Sequence, residues 1–131
     1  MELYLEGGDY VNEILTQEKS IYLQISEMIE NDILRDILLE EERVPSTNEL
    51  AKIYAINPAT AAKGINILVE QQILYKKRGI GMFVASGAKK AIKKRRQDEF
   101  FDNYLKRILM EAESIGITKE ELIAMIEEER K

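Results

Sequence analysis

The 131-residue chain contains no cysteine and no histidine. Disulfides are therefore excluded, as are zinc sites of the usual Cys/His kind and any Ser-His or Cys-His catalytic pair. Tryptophan is absent and there are only two prolines, so each proline carries positional meaning. No uninterrupted apolar run approaches the roughly 18 residues that a membrane helix needs. The acidic N-terminus also lacks the basic-then-apolar pattern of a secretory leader. These absences predict a soluble, cytoplasmic protein with no membrane association, metal or cofactor. Carboxylate and lysine chemistry survive the exclusions, but the acids fall mostly on helix faces and connectors. No residue set suggests a nucleophile or a metal site, so no catalytic residue is assigned and an enzyme is not expected.

One stretch is itself poor in acid. From Arg43 to Gln97 there are twelve Lys or Arg and only two acids, Glu49 and Glu70. Net charge is −10 over residues 1–42, +10 over 43–97 and −5 over 98–131, which together make the −5 of the whole chain. Affinity for a phosphate backbone depends on local rather than net charge, so the middle segment points to a polyanionic partner. A dimer in which acidic 1–42 faces basic 43–97 would produce the same segregation without nucleic acid. Salt-sensitive retention on DNA separates the two.

Residues 1–19 read as a lead-in, with a short strand or frayed segment over 1–17 because Gly7-Gly8 interrupts local order. From Ser20, placed as an N-cap, Ile21, Ile25, Met28, Ile29 and Ile33 recur at helical spacing and predict a helix over about 20–35. Glu40-Glu41-Glu42 follows as an exposed connector. Ser46 with Glu49 three residues later is a capping box, opening a helix over 47–54 whose expected buried face is Leu50, Ile53 and Tyr54. Asn57 caps a third helix over 58–71, with Pro58 at its first position and Ala61, Ile65, Leu68 and Val69 inward. Two short helices joined by so brief a turn form a helix-turn-helix. The period then changes. Ile73–Arg78 and Met82–Val84 read as strands around Gly79-Ile80-Gly81, a β-hairpin carrying Lys76, Lys77 and Arg78 at its tip.

After Ala85-Ser86-Gly87, residues 88–115 return to helical character, with Lys89–Arg96 as a basic, solvated opening. Phe100, Phe101, Tyr104, Leu105, Ile108, Leu109, Ala112 and Ile115 form a wide apolar stripe. Gly116 ends the helix, Thr118 with Glu121 caps the next over 119–130, and Leu122, Ile123 and Ile126 extend the apolar surface. Such a hairpin has too little mass to bury both stripes, so self-association is expected. Phe100, Phe101, Tyr104, Leu105, Ile108, Leu109, Ala112, Leu122 and Ile126 are the expected dimer interface. A small-molecule effector pocket is the weaker reading of the same stripe. The fold class is thus mainly α with a small β-hairpin: a winged helix-turn-helix over 20–85, then a two-helix dimerisation hairpin over 86–131.

Five segments, in order, carry a family resemblance: Ile21–Ile25, Val44–Ala51, Asn57–Thr60, Leu74-Tyr75 and Arg78–Val84. Together they resemble the N-terminal DNA-binding domain of the GntR superfamily of bacterial transcription regulators. The short two-helix tail is similar to the YtrA-like subfamily, whose members are typically dimeric repressors, often of operons encoding ABC transporters. The resemblance implies a double-stranded DNA operator read by a homodimer. Two positions depart from the pattern: the family usually has Arg where Asn48 stands, and a basic residue where Ala62 stands beside Lys63. Those family residues contact bases and phosphates; Asn48 retains an amide that reads adenine in the major groove.

In a winged helix the start of the third helix enters the major groove, which brings Asn57, Ala59, Thr60 and Lys63 nearest to DNA. Ser46 and Thr47 are expected on backbone phosphate. Lys76, Lys77 and Arg78 flank Gly79 and Gly81 at a tip small enough to approach the minor groove. Plainer roles compete at some of these positions. Asn57 is also a helix cap, Thr60 also faces the turn, and Gly79 is also a turn residue.

Overall fold

The computed structural model describes the backbone of residues 7–129 and the side chains of residues 21–129. Its elements are α1 (Gly7–Leu34), α2 (Thr47–Tyr54), α3 (Pro58–Glu70), β1 (Leu74–Lys77), β2 (Gly81–Val84) and α4 (Ala88–Phe100). A π-helical turn over Phe101–Leu105 leads into α5 (Lys106–Ser114), and α6 (Lys119–Glu129) follows. The chain packs as two units, Met1–Ile92 and Lys93–Lys131. The first unit keeps the opening of α4 because Ala88 and Ile92 are buried in its core.

That core is aliphatic. Ile25, Ile29 and Ile33 of α1 stand four residues apart and are buried together with Ala61, Ile65 and Leu68 of α3. Leu50 and Ala51 of α2, Val44, Ile73, Leu74 and Val84 complete it. The α1–α3 seam also holds a polar tie, in which the buried Ser26 hydroxyl donates to the Gly64 carbonyl at 2.6 Å. β1 and β2 pair antiparallel, with Leu74 opposite Val84 and Lys77 opposite Gly81. Leu74 and Val84 point inward, while Lys76 and Lys77 are exposed.

Four expectations are corrected. α1 begins at Gly7, so Ser20 lies inside the helix instead of capping it, and the lead-in expected over 1–17 is helical from Gly7 onward. Residues 1–6 lie outside the described residues. Met28 is exposed, because the inward line follows Ile25, Ile29 and Ile33. On α2, Ile53 is 63% and Tyr54 43% exposed; only the Leu50–Ala51 edge of this two-turn helix is buried. The acidic connector is exposed by its side chains but not idle. Its backbone extends the sheet: Glu41 N–H donates to the Val84 carbonyl (2.7 Å), Val84 N–H to the Glu42 carbonyl (2.9 Å) and Val44 N–H to the Met82 carbonyl (2.9 Å). An edge strand has backbone groups to satisfy, and this segment satisfies them.

The second unit is a helical hairpin. Gly116, at φ 85°, ends the first arm, and Ile117 N–H returns to the Ala112 carbonyl at 2.8 Å. Thr118 and Glu121 then form the expected capping box, with bonds of 2.8 and 3.1 Å. No helix among the described residues is long and apolar enough to cross a membrane.

Candidate nucleic-acid interface

The starts of α2 and α3 are each capped by a side chain. The Ser46 hydroxyl accepts from Glu49 N–H at 3.0 Å, and Ser46 N–H donates to Glu49 Oε1 at 2.7 Å. Hydrogen bonding to the carboxylate from the Ser46 N–H, then from its hydroxyl, and after these the Arg43 guanidinium, hold the Glu49 carboxyl below its usual range. Asn57 Oδ1 accepts from Ala59 N–H at 2.7 Å, so Asn57 acts as a cap at the start of α3. Ala55, at φ 53°, makes the left-handed break that ends α2. Thr47 and Thr60 are half-buried, whereas Asn48, Asn57 and Ala59 are exposed.

With Ala61, Gly64, Ile65 and Leu68 turned inward, α3 presents the complementary face outward. Ala59, Ala62, Lys63, Asn66, Ile67 and Glu70 line an open groove of about 440 Å³ along it. Asn66 and Ile67 are absent from the sequence-based site. Their signal is the same 3–4 spacing that places the buried residues, read for the opposite face. Lys63 reaches back toward α1, and its ammonium lies 4.2 Å from the Tyr22 ring centroid.

The wing carries Lys76, Lys77 and Arg78, all exposed, before a tight loop closed by Ile80 N–H donating to the Lys77 carbonyl at 2.9 Å. Gly79 takes the left-handed conformation the loop requires (φ 76°), with open space around its Cα. Gly81 differs: at φ 141°, a Cβ there would stand 3.0 Å from Arg43 Nε. Arg43 is thus a buttress that the sequence reading did not single out. Its Nε reaches the Ile80 carbonyl at 3.5 Å, long for a hydrogen bond, and its Nη1 lies 3.7 Å from Glu49 Oε1. One arginine therefore spans the wing and the start of α2. Lys77 packs its ammonium 4.3 Å from the Phe83 ring centroid. The Tyr75 hydroxyl donates to Glu41 on the neighbouring segment, and that bond raises the hydroxyl's pKa.

The basic opening of α4 is partly neutralised. Lys89 pairs with Asp36 at 2.9 Å, Lys94 with Asp98 at 3.1 Å and Arg95 with Glu99 at 3.9 Å.

In the second unit, Phe100 (55%), Phe101 (50%), Tyr104 (60%), Ile108 (49%) and Ile126 (49%) are exposed. Leu105, Leu109 and Leu122 are half-buried, while Ala112 is buried inside the hairpin. An open groove of about 490 Å³ runs past Tyr104, Ile108, Ile115, Ile117 and Leu122. Exposed apolar side chains gathered along one groove are the kind of surface that a partner covers.

Residues 21–84 match the model of the bacterial regulatory proteins, gntR family. Over 105 residues, 80% of this chain and 85% of the other, it is 30% identical to the uncharacterized HTH-type transcriptional regulator YhcF of Bacillus subtilis (strain 168). The chain belongs to the gntR family. Within that family it is YtrA-like: it is 29% identical to the HTH-type transcriptional repressor YtrA of the same organism, across 82% of each chain. A crystal structure of a putative GntR-family transcriptional regulator from Bacteroides thetaiotaomicron is 39% identical. It superposes with a TM-score of 0.67 over 82% of this chain and 94% of that one. The gntR-family match ends at Val84, whereas the YhcF and YtrA likenesses cover about four-fifths of the chain.

Proposed function

We propose that this gntR-family regulator is a cytoplasmic, dimeric DNA-binding repressor that reads a two-fold operator, and that it is not an enzyme. The observation that carries the reading is a capped helix start and a solvent-open α3 face beside a lysine-arginine wing, all inside the +10 segment. Residues 20–85 are the DNA-binding domain in this reading, and 86–131 the dimerisation hairpin. Asn48, Asn57, Ala59 and Thr60 face bases and Lys63 a nearby phosphate; Ser46 and Thr47 face the backbone. Lys76, Lys77 and Arg78 enter or flank the minor groove, with Gly79 and Gly81 allowing close approach. Phe100, Phe101, Tyr104, Leu105, Ile108, Leu109, Leu122 and Ile126 supply the partner-facing apolar surface, with Ala112 supporting it from beneath. A second copy doubles a weak reader into one that matches two half-sites. YtrA is named a repressor, which favours repression over activation here.

The test is fluorescence anisotropy with DNA from upstream of the protein's own gene, across a salt series, against an unrelated duplex. Saturable binding well above the control, with a steep salt slope, is the expected result. No binding even at low salt would favour the alternative, a winged-helix module for protein or RNA.

A further inference from the structure

We propose that the base-reading face of α3 selects A·T-rich half-sites. This rests on the DNA-binding reading above and names the sequence class it reads.

The groove along α3 is lined by two alanines, an isoleucine, an asparagine, a lysine and a glutamate: Ala59, Ala62, Ile67, Asn66, Lys63 and Glu70. The helix contains no arginine, the side chain that most often reads guanine through O6 and N7. Its one lysine has its ammonium over Tyr22, directed at α1. What remains along the groove is chemically narrow. An asparagine amide donates to adenine N7 and accepts from its N6 amine, and methyl groups pack on the thymine methyl. Asn66 supplies the amide; Ala59, Ala62 and Ile67 supply the methyls. Asn48, exposed on the neighbouring helix, repeats the amide. Glu70 is the group that suits cytosine N4, so a G·C preference is confined to the far end of the groove.

The experiment is selection of random-core duplexes on the full-length protein, followed by competition between the selected core and versions with single G·C replacements. An A·T core is expected. Asn66→Ala, at an exposed helical position, should erode discrimination at one base pair by about five- to 150-fold. Replacing thymine by deoxyuridine in the core should weaken binding about fourfold per lost methyl contact. A G·C core would overturn the proposal while leaving the regulator reading intact. An A·T preference indifferent to both changes is shape readout, and would overturn it too. Failure to enrich any sequence would overturn the proposal together with the reading beneath it.

Discussion

The carbonyl of Gly64 accepts the Ser26 hydroxyl at 2.6 Å, and the same glycine lies so close to α1 that a Cβ would stand 2.7 Å from the Tyr22 carbonyl oxygen. That Cβ would also meet Ile25 Cβ at 3.1 Å. A glycine inside a helix costs about 1 kcal/mol relative to alanine. Here its lack of a side chain lets α3 pack closely against α1.

Gly64→Ala is therefore expected to destabilise the protein despite the better helix former. The obstructing atom is backbone, which yields less readily than a flexible side chain, and overpacking of this kind costs about 1–3 kcal/mol. Thermal unfolding followed by circular dichroism reads the change. A variant more stable than wild type would mean that α1 and α3 separate without penalty.

The Ser46–Glu49 capping box makes a second prediction. Ser46→Ala removes the acceptor for Glu49 N–H, and a lost cap of this type costs about 1 kcal/mol. The box also gives stability a pH dependence. Because the folded state holds the Glu49 carboxyl below its ordinary value of 4.5, the contribution is fully present above that value. It is lost as pH falls through the lower folded value. Glu49→Gln should therefore flatten the acid limb of a stability-versus-pH curve. An acid limb identical to wild type would show that the box does not govern it.

Much of this was legible because it is local. Helix caps at Ser46, Asn57 and Thr118, the proline at the start of α3 and the glycine in the wing loop act within a few residues of themselves. What escaped depends on residues far apart in sequence. Glu41, Glu42 and Val44 read as connector until β2 supplies backbone partners. Gly64 reads as a weak helical position until the Tyr22 carbonyl stands against it. Arg43 is one basic residue among many until Ile80 and Glu49 come within its reach. Asn66 escapes for a different reason: a winged helix is read from the start of its third helix, and Asn66 stands two turns further along the same outward face. On α2, apolar character alone assigned Ile53 and Tyr54 to a core that so short a helix does not bury.

Arg78→Ala tests the wing. Arg78 is exposed beside the loop tip, where the proposed role is contact with phosphate or the minor groove. Each phosphate contact contributes about 0.9 to the slope of log affinity against log salt. The variant should weaken operator binding and reduce that slope by about one. Binding curves at four or more salt concentrations measure it. A slope equal to wild type would show that Arg78 does not neutralise a phosphate.

Ile108→Glu tests the dimer surface. Ile108 is about half exposed within a single chain and borders the groove that Tyr104 and Leu122 also line. A carboxylate there costs little in the isolated hairpin, because water still reaches it. Across an apolar interface the same carboxylate would be buried without a partner, which is strongly unfavourable. Light scattering should therefore report a monomer for the variant and a dimer for the wild type. Operator affinity should fall about 100-fold or more, since the second half-site no longer benefits from a linked partner, while binding to an isolated half-site should change little. A variant that stays dimeric would move the interface away from this stripe. Monomers that still bound the full operator as tightly as wild type would instead show that the two half-sites are read independently.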